Sequence, residues 1–359
     1  MDKQQSSRDS FFGETNPWSK NDHSIWLAST LKITRNIEKF KFSGKLSTER
    51  RKQVISLVSK ELLESPLISG ATFGRAEEMT PIQKEYLAEH FLTGESYHQA
   101  QAGEAFIWDE KGEFLGILNL HDHFSLLWMD MREELEQTWD KLSQLESYLG
   151  KGISFAFLPK FGFLTSDSTS CGTALIAHVF LHLPALIFTR RLEEAMEKHG
   201  EDGIRQTGIQ GSPEELAGDL VVLCNNYTLG VTEETIISSL RNLATKLILE
   251  EKSMRAQLKQ EQHPQSNQLK DIISRAYAIL LYSYQIDSLE AMQALSALKI
   301  GYDLGWVSGL DHANLNFLLF KSRRAHLLGY YGEHIPPEQL SQKRAEFIHQ
   351  ALKKTTLLI

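Results

Sequence analysis

Three observations predict an α+β protein with an all-helical C-terminal domain. Strand-period segments, Ala105-Phe106-Ile107-Trp108 and Phe114–Leu120, flank a turn at Glu110-Lys111-Gly112 and read as a β-hairpin. From Thr232 onward, apolar residues recur at three- and four-residue spacing almost to the end of the chain. Gln260–Gln268, polar and carrying Pro264, is the best linker in the sequence. It divides an α+β body of about 260 residues from a helical unit of about 95.

Taken in order, residues 1–22 read as a loose arm with an aromatic anchor at Trp18, and a mostly helical stretch follows. Its clearest start is Thr80-Pro81-Ile82-Gln83, a capping box with proline at the first helical position. Ile82, Tyr86, Leu87 and Phe91 then share one helix face. After the hairpin, Leu135, Trp139, Leu142, Leu145 and Leu149 predict a helix ending near Gly150. Gly152–Leu158 and Asp219–Tyr227 read as strands, and the segment after Gly172 as a helix closing near Gly200. Ile236, Leu240, Leu243, Leu247, Met254 and Leu258 form one long amphipathic helix. Beyond the linker, helices are expected over 269–285, 288–302, 309–328 and 336–356.

Composition narrows the function classes. A net charge of −8 argues against a protein that coats nucleic acid or an anionic membrane, so neither is expected as a partner. Cys171 and Cys224 are the only cysteines, too few for a disulfide scaffold, and fit a reducing compartment. The polar start, MDKQQSSRDSFFGETN, lacks the apolar core of a signal peptide, and the apolar run at Ala174–Phe188 is too short to span a bilayer. A cytoplasmic location is the expectation.

Two stretches could carry chemistry. In Asn119-Leu120-His121-Asp122-His123-Phe124-Ser125, His121 and His123 would point to one face of a strand. Zinc needs three or four protein ligands, and no second pair with ligand spacing exists, so no metal is expected. The small polar loop leading into residues 172–186 could offer backbone N–H groups to phosphate at a helix start, with Cys171 beside it. It lacks the Gly-Lys-Ser/Thr of a P-loop.

Together these stretches resemble motifs of the ATP:guanidino phosphotransferases, and over the whole chain those of the bacterial protein-arginine kinases (the McsB family). Ala28–Asn36 is similar to the family's ATP-site opening S-S-R-I-R-L-A-R-N, and Asn119–Ser125 to N-E-E-D-H-x-R. Leu164–Leu186 matches the segment ending in His-Leu-Pro-Ala-Leu, which is intact here; Arg205–Gly218 and Cys224–Gly230 match two further motifs. Ser288–Gly305 resembles the protein-arginine kinases' own helical domain. The resemblance implies a guanidino-kinase fold: an arm and helical subdomain over 1–95, an antiparallel-sheet, catalytic-like subdomain over 96–262, and a helical domain over 263–359.

For activity the resemblance points the other way. In the family, paired glutamates grip and deprotonate a guanidinium, which is otherwise protonated at any physiological pH. Their equivalents here are Leu120, His121 and Gln210, and Asp167 replaces a cysteine beside the guanidinium. The nucleotide-binding equivalents are Thr30, Lys32, His123, Ser125, Ile176 and Arg205. The phosphoarginine-pocket motif R-D-x-x-R-A falls on Leu340-Ser341-Gln342-Lys343-Arg344-Ala345, retaining Arg344 but not the first arginine or the aspartate. The expectation is a pseudokinase acting as a binding or regulatory scaffold with no cofactor. The alternative is an active divergent kinase that uses Mg-ATP, with Asp167 or His121 as base. The resemblance also implies a homodimer through the C-terminal domain, a zinc-binding activator of the McsA type and Clp machinery as partners.

Overall fold

The computed structural model describes residues 21–332 and 335–359. Residues 1–20 of the expected arm, with Trp18, lie outside them, while its end is not loose: Asn21 is buried, donating to the Leu27 carbonyl and accepting from Asn316. The first strand, β1 (Trp26–Arg35), is followed by α1 (Thr48–Leu63), β2 (Thr72–Arg75), α2 (Pro81–His90), β3 (Ala105–Trp108), β4 (Phe114–Leu118) and β5 (Phe124–Asp130). Then come α3 (Leu135–Leu149), the short β6 (Phe157–Leu158) and β7 (Gly162–Phe163), and β8 (Leu175–His182). The body closes with α4 (Pro184–Phe188), α5 (Leu192–His199), β9 (Ile204–Gly208), β10 (Leu220–Asn225) and α6 (Glu233–Leu258). Among the described residues, one eight-stranded sheet runs in the order β2-β3-β4-β5-β1-β8-β10-β9, and every pairing within it is antiparallel.

The two faces of this sheet differ because side chains alternate along each strand. Leu31, Ile33, Ala177, Val179 and Leu223 are fully buried on one face, where α3 and α6 pack across β1, β5, β8 and β10. Thr30, Lys32 and Thr34 occupy the other face, which these helices leave open. The α2 start matches its sequence signal: Thr80 accepts from the Gln83 N–H, and the Gln83 side chain accepts from the Thr80 N–H.

The remainder is α7 (Ser266–Tyr282), α8 (Ser288–Asp303), β11 (Val307–Ser308), α9 (His312–Lys321), α10 (Arg324–Tyr331), α11 (Leu340–Ala351) and β12 (Thr356–Leu357). Buried polar contacts tie these helices to the body. His182 Nε2 lies 2.8 Å from Ser296 Oγ, and that hydroxyl donates to Asp219. Arg255, on α6, holds Glu251, Asp303 and the His182 carbonyl at once. Glu89 of α2 accepts from the Ala325 and His326 N–H groups at the start of α10. Among the described residues no helix is long and apolar enough to cross a membrane.

Several segment expectations are corrected. The segment after Gly172 is not a helix: Leu175–His182 is a strand between β1 and β10, and helix begins only at Pro184. Half-buried Ile176 and His178 alternate with buried Leu175, Ala177 and Val179, which satisfies period two, and the strand's apolar run hid it. Residues after 22 are not mostly helical, because β1 is a central strand of the sheet and β2 its edge. Gly152–Leu158 pairs only at Phe155 and in the two-residue β6. The helix expected over 309–328 is two, α9 and α10, separated at Ser322 and Arg323, and α11 stops at Ala351.

Candidate functional site

The open face of the sheet carries a cleft of about 400 Å³ lined by Lys32, Thr34, Glu95, Leu120, His121, Asp122, Ser125, Asp167 and Ile176, among others. Register explains the grouping. Thr34 stands opposite Ser125, and Lys32 stands between Leu127 on β5 and Ile176 on β8. One step along, Thr30, His178, Cys224 and Arg205 form a lateral row across β1, β8, β10 and β9. A second cleft of about 210 Å³, lined by Thr30, Leu92, Thr93, Gly94, Leu127 and His178, adjoins the first and shares Lys32 and Glu95 with it. Two loops complete the wall: the turn between β4 and β5, with Leu120 to Asp122, and the segment from Thr165 to Ser170.

The ammonium and the carboxylates of the cleft are each engaged by neighbouring side chains or backbone. Lys32 is ion-paired with Glu95. His178 is driven down to about 4 by burial and by the Lys32 and Arg205 charges, so it is neutral near pH 7. The Thr34 and Ser125 hydroxyls bond each other at 2.9 Å, and Thr30 Oγ1 lies 3.3 Å from His178 Nδ1. Against one paired ammonium stand the carboxylates of Glu95, Asp122 and Asp167. Asp167 accepts from both the hydroxyl and the N–H of Thr169, which holds its carboxyl below the usual range and makes it a weaker base. Asp122 is engaged by the Asn36 amide, the Ser166 N–H and the Ser166 hydroxyl, tying the turn to the Thr165–Ser170 segment.

The expected same-face histidine pair is corrected. Residues 119–123 form a bend rather than a strand, with Asn119 at φ 59°. His121 is exposed on the cleft rim, whereas His123 is buried. The ring of His123 accepts from the Ile37 N–H at Nδ1 and donates from Nε2 to the Lys41 carbonyl. No three His, Cys, Asp or Glu side chains group as metal ligands among the described residues. The phosphate reading of the loop before residue 172 loses its helix: a short 3₁₀ turn at Ser168–Ser170 leads into a strand, and Cys171 is buried at its end.

Of the other expected site residues, Leu120, His121, Asp167, Lys32, Ser125 and Ile176 line the first cleft and Thr30 the second. Arg205 is exposed on β9 and Gln210 in the turn after it, outside both linings. The arginine that the phosphoarginine-pocket motif retains is placed inside the helical domain. Arg344 is buried and spends its guanidinium on the Ser322 and Ile286 carbonyls, each at 2.8 Å, while the Ser341 carbonyl accepts from the Ile286 N–H. Leu340 is half-buried at the start of α11. Sequence reasoning missed Glu95 and His178. Reading β8 as a strand would have placed His178 beside Ile176 on the cleft face; Glu95 lies in a loop and carries no periodic signal.

Residues 53–254 match the ATP:guanido phosphotransferase C-terminal catalytic domain, and residues 266–357 match the protein-arginine kinase McsB C-terminal domain. The chain is 35% identical over 311 residues to a protein-arginine kinase of Chlamydia pneumoniae, covering 84% of each chain. It is 30% identical over 342 residues to the protein-arginine kinase of Bacillus cereus (strain AH187), covering 94% of this chain and 96% of that one. Among solved structures, lombricine kinase superposes with a TM-score of 0.57 at 18% identity, over 67% of this chain and 71% of that one. The substrate-free duplicated taurocyamine kinase from Schistosoma mansoni gives 0.56 at 22% identity, over 76% of this chain and 40% of that one. These last two speak for the fold. With both domain matches in chain order and relatives aligned over most of their length, the chain belongs to the protein-arginine kinase family of ATP:guanido phosphotransferases.

Proposed function

We propose that this chain is a pseudokinase: a protein-arginine-kinase scaffold that binds rather than transfers phosphate. The observation that carries the reading is the composition of the cleft, where Leu120, His121, Ser125 and Ile176 stand at positions for which the family resemblance implies glutamates and arginines. Phosphoryl transfer rests on positioning and charge neutralisation, and one arginine on the transferring group is worth roughly 10³-fold or more in rate. Here the nearest cation, Lys32, is paired with Glu95, and the nearest imidazole, His178, is neutral. The residues present do not fit Mg-ATP in the manner that the family resemblance implies. A binding role would be exercised with the partners the resemblance implies: a second copy through the C-terminal helices, a zinc-binding activator and Clp machinery.

A second reading, an active divergent protein-arginine kinase, is favoured by the relatives, whose names state that activity. It would use Asp167 or His121, both on the cleft wall, as base. One experiment separates the two. The purified protein is incubated with Mg-ATP and casein, and phosphoarginine is read by mass spectrometry, with the Bacillus cereus relative in parallel. The pseudokinase reading expects no phosphoarginine from this chain; stoichiometric, time-dependent product would establish the second.

A further inference from the structure

We propose that Glu95 is a built-in anion that occupies the phosphate position beside Lys32 and so closes the cleft to polyphosphate ligands. The inference deepens the pseudokinase reading and rests on it for the identity of the site. Three features of the structure carry it.

First, Lys32 and Glu95 are common to both clefts, so their ion pair is the partition between them. The smaller cleft, at about 210 Å³, is below the size of an ordinary ligand site. The linings follow β1 from Ser125 and Thr34 in the first cleft to Thr30 and His178 in the second, with the pair between. Second, Lys32 is the cleft's cation, its side chain being only about a fifth exposed. An ammonium at such a depth attracts whichever anion reaches it, and Glu95 is already there.

Third, the arm that carries Glu95 is short and held at both ends. α2 terminates with the Phe91 N–H on the Leu87 carbonyl and the Thr93 N–H reaching back to the Ala88 carbonyl, a helix stop that places Leu92 at φ 52°. Glycine is the usual residue at such a position, yet here the leucine side chain is buried and serves as an anchor. Two residues past Glu95, Tyr97 is fully buried. Glu95 is thus presented to Lys32 from a tethered loop, where rotation of its side chain alone can make or break the pair. No carboxylate elsewhere in the cleft competes for the role, since Asp122 and Asp167 are engaged by Ser166 and Thr169.

The test compares full-length wild type, Glu95→Gln and the double variant Glu95→Gln with Lys32→Met, using inorganic tripolyphosphate and ATP as probes in isothermal calorimetry. Glutamine keeps the size of the side chain and removes its charge. The expected result is a gain of at least tenfold in affinity for both probes in Glu95→Gln, abolished in the double variant. Equal affinities in wild type and Glu95→Gln would overturn the proposal, as would a gain that survives loss of Lys32. Circular dichroism and a urea midpoint check that each variant is folded. The phosphoarginine assay is run on the same proteins. Product from wild type with a lower KM for ATP in Glu95→Gln would remove the pseudokinase reading and leave the Glu95 closure standing, so the two fail separately.

Discussion

Glu89 caps a helix that does not contain it. Its carboxylate, on α2, accepts from the Ala325 N–H at 3.0 Å, the His326 N–H at 3.2 Å and His326 Nδ1 at 3.0 Å. These amides are the second and third of α10, whose own N-cap, Arg323, provides no side-chain cap. Burial alone would raise the Glu89 pKa, but the His326 and Arg323 contacts outweigh it and bring it from 4.5 down to about 2. That depression corresponds to about 3 kcal/mol in favour of the charged form in the fold. The contribution is present above pH 4.5 and is lost as pH falls toward 2. Glu89→Gln keeps an acceptor but removes the charge, so about 2–3 kcal/mol of the local stability of α10 should go. Deuterium exchange at Ala325 and His326 reads the free energy of opening α10 at these two amides. Protection there should fall roughly 30- to 140-fold at pH 7, since about 1.4 kcal/mol is a factor of ten. The deficit relative to wild type should persist to about pH 3. Both proteins should also lose stability between pH 6.5 and 4, because His326, held near 4 by burial, refuses a proton that the unfolded chain accepts. Protection within threefold of wild type, or a deficit that closes before pH 4, would refute the capping role.

Two further outcomes test the placement of motif residues. His121→Ala should shift the urea midpoint by less than about 0.5 kcal/mol, whereas His123→Ala should cost about 2–3 kcal/mol by leaving the Ile37 N–H and Lys41 carbonyl without their buried partner. Equal effects would mean that the histidines act as a pair after all. Arg344→Met should cost about 2–4 kcal/mol through the Ser322 and Ile286 carbonyls it strands. Wild type should bind free phosphoarginine no better than phosphate in calorimetry, and micromolar binding that disappears in Arg344→Met would contradict this structural use of the guanidinium.

How much was legible in the sequence depended on whether the signal was local. The α2 capping box, the β3–β4 hairpin and α3 up to Gly150 lie where their residues predict, because caps, turns and amphipathic period are properties of neighbours in the chain. β8 did not, since a strand flanked by β1 and β10 is apolar almost throughout and imitates a buried helix over its length. The break between α9 and α10 was likewise illegible. Its start is capped by Glu89, a residue 234 positions before the contacted Arg323, and no local window contains that information. The same holds for Glu95, which becomes a site residue only because the loop after α2 folds back over β1.

The motif residues divide by what they touch. Several positions at which the resemblance implies a kept family pattern serve the fold. Arg35 is buried among Glu146, the Thr34 and Thr173 carbonyls and the face of Phe163. Asn36 joins Asp122, His123 and the Leu164 carbonyl, and His182 seats Ser296. Removing any of these leaves buried polar groups without partners, at about 1–3 kcal/mol each. Of the positions at which the resemblance implies a departure, Thr30, Lys32, Leu120, His121, Ser125, Asp167 and Ile176 line the clefts beside Asp122, and Gln210 lies outside them. Thr30, Leu120, Ser125 and Ile176 are small or apolar and Lys32 is paired with Glu95, and the sheet keeps its register with these side chains. A like-charged array of arginines facing a cleft is costly unless a polyphosphate compensates it. Hydroxyls bonded to each other and a lysine paired with Glu95 stand at no such cost in the absence of ligand. On the pseudokinase reading proposed above, packing and catalysis impose separable demands on the same strands, and the side chains of this chain meet those of packing.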